Sequence, residues 1–304
     1  MKYFPKAMVG LDLTEMDDIL IKKTAAYVQF LGIEKCYFLH VSKNLEIPQE
    51  ILEQYPNLIA PSDESIESIL QNKLAELDFP KEVEVEVFVE EGSHPLDTFL
   101  RWAKLKDVDL IIMGRKEELE GSGVLADGVA KKAPCSILLF QERRPVIFPK
   151  KIVIPTDFSG HNHMIYDFGE RIADQVGAKL IPLHMTKVPH GYSKTGKSYE
   201  EFVEIMKENA HTAFKKFVSK HHHPELDCEV IVDDERNPGV QITEFAQKID
   251  ADMIILGSRG RTSSAAIILG STAEKVIHSN KALPMLIFKK KGETMDFFDA
   301  LFRI

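Results

Sequence analysis

The chain has 304 residues, 44% of them hydrophobic and 28% charged, with a formal net charge of -9. That length carries two domains of ordinary size, each able to bury its own core, and the negative balance repels nucleic acid at long range. The one basic run, Lys289 to Lys291, is too short to track a phosphate backbone, so nucleic acid is not expected as a partner.

No apolar run approaches membrane-spanning length, so no membrane association is expected. The opening stretch "MKYFPKAMVGLDL" lacks the apolar core and small-residue cleavage site of a secretory signal. Cys36, Cys135 and Cys228 form no C-x-x-C pair, which fits a reducing compartment and argues against disulfides or a thiolate zinc site. A cytoplasmic protein is expected, with the cysteines serving as small core hydrophobes.

Taken in chain order, the segments of the first half return in the second. "MVGLDLTEMDD" (8–18) matches "IVIPTDFSGHN" (152–162), setting Asp12 opposite Asp157. "CYFLHVSK" (36–43) matches "LIPLHMTK" (180–187), setting His40 opposite His184. "DVDLIIMGRK" (107–116) matches "DADMIILGSR" (250–259), and "CSILLF" (135–140) matches "LPMLIF" (283–288). Offsets of 143 to 148 residues over four segments indicate two copies of one domain. The join falls in "QERRPVIFPKK" (141–151), where charge and prolines interrupt the apolar pattern, giving domains 1–144 and 145–304.

In the second copy the pattern predicts strands near 152–156, 179–185, 228–233, 252–256 and 284–288, and helices near 161–176, 198–220, 238–249 and 270–280. Runs such as "DLIIM" and "DMIIL" lack polar alternation, as parallel strands covered on both faces do. The fold class is therefore α/β, two tandem doubly wound, mostly parallel sheets, in which ligands sit beyond the carboxyl ends of the strands where the strand order reverses.

Within the connection after the second strand of the second copy, Gly191, Gly196, Lys197 and Ser198 spell G-x-x-x-x-G-K-S, the pattern of a phosphate-binding P-loop. A true P-loop follows its strand directly, whereas "TKVPH" intervenes here, and the matching first-copy segment has no glycine. A P-loop NTPase using residues 191–198 stays open as an alternative, with turnover dependent on Lys197. His221, His222 and His223 run into Pro224, and a solvated helix end is favoured over a metal site because adjacent helical residues diverge. His40 and His184, at matching strand ends, read as structural, since no nucleophile or acid is placed by sequence to make either a catalytic base.

After the fourth strand of the second copy comes "GSRGRTSSAAIILGST", with Gly257, Gly260 and Gly270 followed by Ser271 and Thr272. This stretch resembles the universal stress protein family, whose ATP-binding members carry G-x-x-G, nine residues, then G-S/T at this place. "KIVIPTDFS" and "PLHM" are similar to the family's first strand and second-strand ending, and the likeness covers nearly the whole chain as a tandem pair. It implies five-stranded, Rossmann-like sheets in the order 3-2-1-4-5, of the adenine nucleotide alpha-hydrolase-like kind, with Asp157 and the Gly257 loop facing one crevice. It also implies ATP with Mg²⁺ as the ligand, Pro155, Thr156 and Met185 on the adenine side, and pairing of the two domains within the chain as a pseudo-dimer, which can pair again as a homodimer.

The residues themselves support an anion site. Glycines let backbone N–H groups approach phosphate oxygens, and Ser271 and Thr272 stand at a helix start where free N–H groups favour negative charge. Ser258 lies in the same loop, and Arg259 and Arg261 either supply countercharge or are solvated. An ordinary loop with a serine cap remains the other reading of the glycines, and a helix cap that of Asp157.

In the first copy the interval from Gly114 to Gly123 is four residues shorter, with Glu117 in place of the second glycine and Val124 in place of the serine. Glu117, Glu118 and Glu120 would repel phosphate, so no ATP is expected there despite Asp12. The tail "GETMDFFDALFRI" sets Phe297, Phe298, Leu301 and Phe302 at helical spacing, which suits docking on a protein surface. The function expected is an ATP-binding stress-response or signalling module with one competent site, no catalytic residues and at most slow hydrolysis; the remaining alternative is a nucleotide-free interaction scaffold.

Overall fold

A computed structural model of the protein describes residues 3–43, 63–117, 124–145, 147–159, 162–220, 226–258 and 269–289. The tail beyond Lys289, the His221 to His223 run, and Arg259, Gly260 and Arg261 lie outside the described residues. The chain divides into two compact units, Met1–Val146 and Ile147–Ile304.

In the first unit β1 (Lys6–Leu11), α1 (Glu15–Leu31), β2 (Lys35–Ser42), α2 (Asp63–Glu76), β3 (Glu84–Glu91), α3 (Pro95–Leu105), β4 (Leu110–Arg115), α4 (Val124–Lys132) and β5 (Ser136–Gln141) alternate strand and helix. Its strands lie in the order β3-β2-β1-β4-β5, and every pairing is parallel. The second unit repeats the plan with β6 (Lys151–Thr156), α5 (Asn162–Val176), β7 (Lys179–Thr186), α6 (Tyr199–Lys220), β8 (Glu229–Val232), α7 (Pro238–Lys248), β9 (Met253–Gly257), α8 (Ser271–Ser279) and β10 (Met285–Phe288). Its order is β8-β7-β6-β9-β10, again all parallel. Both sheets therefore run 3-2-1-4-5 in domain numbering, as the family resemblance implies.

Burial explains the composition of these strands. Ile111, Ile112 and Met113 in β4, and Met253 to Leu256 in β9, are buried at consecutive positions, so both sheet faces are covered and neither face is left for polar residues. The outer strands β3 and β8 are mostly half-buried and carry glutamates, a composition that discourages edge-to-edge pairing. Helix starts are set by local chemistry: Thr14 accepts from Met16 N–H ahead of α1, and Asn237 accepts from Gly239 N–H at 2.8 Å with Pro238 at the first position of α7. A Cβ on Gly239 would collide with the carbonyl oxygen of Lys275, so only glycine lets α7 lie against α8 this closely.

All three cysteines are buried and outside any disulfide, and burial pushes the Cys228 thiol up to about 12 and that of Cys36 higher still, which keeps these two unreactive.

Candidate functional site

The first and fourth strands of the second domain are neighbours, with Ile152 opposite Met253 and Val153 opposite Ile254. Continuing that register sets Thr156 beside Gly257, while on its other flank Thr156 pairs with His184 of β7. Asp157, one residue beyond β6, therefore stands between Met185 and Ser258 at the carboxyl end of the sheet. This is the point where connections leave in opposite directions and a crevice opens.

The turn after β6 is tightly specified. Phe158 takes a left-handed backbone conformation, φ 59°, uncommon for a side chain of this size, and its N–H donates to Thr156 Oγ1 at 3.2 Å. Ser159 N–H donates to Asp157 Oδ1 at 2.9 Å, and Asn162 Nδ2 donates to the same oxygen at 3.0 Å and to Thr156 Oγ1 at 2.9 Å. The Phe158 ring stacks on His184, centroids 4.2 Å apart and planes at 25°, while His184 Nδ1 donates to the carbonyl oxygen of Thr156 at 2.9 Å. Phe214 and Phe217 of α6 close around Phe158 from behind. This packing holds a backbone conformation that would otherwise cost about 1–2 kcal/mol.

Across the crevice the two ends of the glycine loop meet. Ser258 N–H donates to the carbonyl oxygen of Phe288 at 3.1 Å, and Gly270 N–H donates to that of Ser258 at 2.6 Å. Ser258 is thereby joined to Gly270, at the start of the helix that opens with Ser271 and Thr272. Gly270 is the N-cap of α8 and supplies no side-chain hydrogen bond to it, and Ser271 and Thr272 are exposed. Among the described residues no side chain caps this nine-residue helix start, and the positive end of the helix dipole lies behind its first-turn N–H groups. Of the residues the sequence singles out, Pro155, Thr156, Asp157, Met185, Gly257, Ser258, Gly270, Ser271 and Thr272 fall on this one edge.

The first domain closes the same place with its own side chains. Leu11 pairs with His40, and His40 Nδ1 donates to the Leu11 carbonyl at 3.1 Å, just as His184 serves Thr156; burial holds the His40 ring below the ordinary imidazole value. Here the likeness stops. Asp12 is paired with the buried ammonium of Lys116, the residue two beyond Gly114, and accepts from Thr14 Oγ1 at 2.6 Å. Arg115, also buried, pairs with Asp127 of α4 at 3.1 Å. Met16 lies so close to Gly114 that a Cβ there would sit 2.6 Å from its Cε. Glu117, expected to repel phosphate, donates its N–H to Glu142 at 2.8 Å; Glu118 and Glu120 lie outside the described residues. Lys116 was legible in the sequence as a cation at the end of β4, but its partner was not.

The P-loop-like segment serves a local purpose. Residues Tyr192–Thr195 form a 3-10 turn, Gly196 is left-handed at φ 75°, and Ser198 caps α6: its Oγ accepts from Glu201 N–H at 3.2 Å while Glu201 Oε2 accepts from Ser198 N–H at 2.8 Å. This reciprocal capping box is written in the sequence as S-x-x-E, Ser198 to Glu201. It commits the serine hydroxyl and amide that a P-loop would offer to phosphate and metal. Lys197 lies 3.8 Å from Glu201.

The signature of the Universal stress protein family matches residues 4–141 and 149–289. Universal stress protein MJ0531 of Methanocaldococcus jannaschii is 34% identical over 145 residues, 46% of this chain and 82% of that protein. Universal stress protein MJ0577 of the same organism is 31% identical over 159 residues, 47% of this chain and 96% of that protein. The fold is similar to the crystal structure of a functionally unknown protein, PA1789, from Pseudomonas aeruginosa PAO1, with a TM-score of 0.70 at 15% identity over 100% of this chain and 99% of that one. It is likewise similar to a universal stress protein from Archaeoglobus fulgidus DSM 4304, with a TM-score of 0.59 at 18% identity over 94% and 97%. The chain belongs to the universal stress protein family and carries two copies of its domain in tandem. No helix among the described residues is long and apolar enough to cross a membrane.

Proposed function

We propose that the protein binds one adenine nucleotide per chain, ATP with Mg²⁺, in the crevice of the second domain, and acts in stress response or signalling by holding that nucleotide. The observation that carries this reading is the Ser258–Gly270 hydrogen bond, which draws a glycine-capped helix start to the edge where Asp157 stands. Phosphates suit the α8 amides, Ser271 and Thr272; the Asp157 carboxylate suits ribose hydroxyls or an adenine amino group. Pro155, Thr156 and Met185 flank the base in this reading, and Arg259, Gly260 and Arg261 complete the phosphate loop. The first domain does not bind, because Lys116 and Arg115 already neutralise its acidic groups and Met16 fills the space beside Gly114.

Titration calorimetry with Mg-ATP tests this directly, the expected stoichiometry being one per chain. Asp157→Ala should weaken binding about tenfold or more, the loss of a charged hydrogen-bond partner, while Asp12→Ala leaves it unchanged. Two sites per chain, or fast Mg²⁺-dependent turnover abolished by Lys197→Ala, would replace this reading. No ATP-induced rise in melting temperature would leave the interaction scaffold.

A further inference from the structure

The turn after the first strand is built on the same backbone in both domains, left-handed at Leu13 (φ 62°) and at Phe158 (φ 59°). The buried residue that secures it has opposite hydrogen-bonding character in the two. In the first domain Asp17, 1% exposed, accepts from the N–H groups of Asp12 and Leu13, each at 2.9 Å. The offset that sets Asp12 opposite Asp157 sets Asp17 opposite Asn162, which is 4% exposed. Asn162 does the reverse: its amide donates to Asp157 Oδ1 and to Thr156 Oγ1. An ionised carboxylate only accepts, so the amide nitrogen must be the group on that side.

We infer that Asn162 is a positioning residue for nucleotide recognition, its amide locking the Asp157 carboxylate in the orientation that presents an acceptor to the ligand. The inference rests on the reading that the second domain binds an adenine nucleotide. An aspartate at the end of a strand is free to swing between rotamers, and each orientation not suited to the ligand lowers affinity by its population. Two donors on one oxygen, the Ser159 amide and the Asn162 side chain, select one rotamer before the ligand arrives. The first domain shows what the other choice does. With a carboxylate at position 17 the residue beneath cannot donate to Asp12, whose partners among the described residues are Thr14 and Lys116.

Substitution at Asn162 to the first-domain residue therefore gives a test with a signature that mere loss of packing would not produce. Mg-ATP affinity and melting temperature are measured for the wild-type protein, Asn162→Ala and Asn162→Asp between pH 5 and 8. Asn162→Ala is expected to weaken ATP about tenfold at every pH through loss of one charged hydrogen bond. Asn162→Asp is expected to weaken it about a hundredfold at pH 8, where two carboxylates face each other, and to return to within about threefold of wild type at pH 5. The recovery follows because burial raises such a carboxyl, as it raises Asp17 to about 6, and once protonated the group again donates to Asp157. Of the other groups around the turn, Tyr166 and Cys228 are pushed by burial well above this window, and the wild-type protein measured in parallel subtracts His184 and Asp157.

ATP affinity unchanged in both variants, or an Asn162→Asp deficit that does not recover at pH 5, would overturn the inference and leave the nucleotide reading standing. Should Asn162→Asp fail to fold at pH 8, Asn162→Ala decides the matter by the same comparison of affinity with melting temperature. A wild-type protein that binds no ATP would overturn the reading beneath it.

Discussion

At the end of the first strand of the first domain, the chain meets its own Lys116, Arg115 and Met16; at the same place in the second domain it meets a glycine-capped helix start and an exposed Ser271 and Thr272. Strand order, register and the histidine that clasps the strand end are shared. The contrast extends to the turn itself. Leu13 is 43% exposed, whereas Phe158, with the same backbone angle, is stacked on His184 and packed on α6. A duplicated scaffold thus kept its sheet, where every strand residue is constrained by burial on both faces, and diverged at the strand ends, where a few side chains decide whether a cleft is filled or left polar.

The sharpest way to break this comparison is to give the second domain a side-chain cap. Gly270→Asp should stabilise α8 by a few tenths of a kcal/mol to about 1 kcal/mol, since a carboxylate at an N-cap satisfies the first-turn amides. The same change should weaken ATP a hundredfold or more, about 2.7 kcal/mol, because it places a negative charge where the phosphates are proposed to sit. Melting temperature and calorimetric affinity would then move in opposite directions; movement together would show that α8 is a structural element only.

Next in size is the pH response of the first domain. Asp17 is raised from 3.8 to about 6, chiefly by burial. Between those values the native state keeps a proton that the unfolded chain has released, so stability is gained as pH falls from about 6 to 4 and is lost as pH rises, by about 3 kcal/mol in all. Urea unfolding across this range should show that slope in the wild-type first domain and not in Asp17→Asn. The second domain, with neutral Asn162 at this position, should lack it. A slope of equal size in both variants would mean that Asp17 titrates normally.

The smallest effects are expected in the P-loop-like segment. Ser198→Ala should cost about 1 kcal/mol by removing the α6 cap. Lys197→Ala should change stability by less than about 0.5 kcal/mol, as for any exposed ion pair. Neither should alter ATP affinity beyond about twofold. Thermal melts with and without Mg-ATP separate the two properties.

Much of this is legible in the sequence. In the second copy each predicted strand and helix boundary falls within one residue of its observed place, because period-2 and period-3.6 patterns and Pro or Asn caps are local signals. The G-x-x-G and G-S-T stretches could be read directly because they are contiguous features of the chain. What escaped was pairwise. Lys116 on Asp12 joins residues about a hundred apart, and no local pattern announces it. Asn162 lies close to Asp157 in the chain, but its bond to that carboxylate depends on how the turn at Phe158 folds back.

The amino-acid sequence by itself determined the duplication, the parallel α/β class, the family and the position of the glycine loop, because burial and turn chemistry act over a few residues and repeat at a constant offset. Only the tertiary structure decided that one strand end meets its own lysine while the other meets a helix start that, among the described residues, has only glycine as its cap. That outcome depends on which side chains from separate segments meet, and such meetings are fixed by the packed sheet rather than by any stretch of chain.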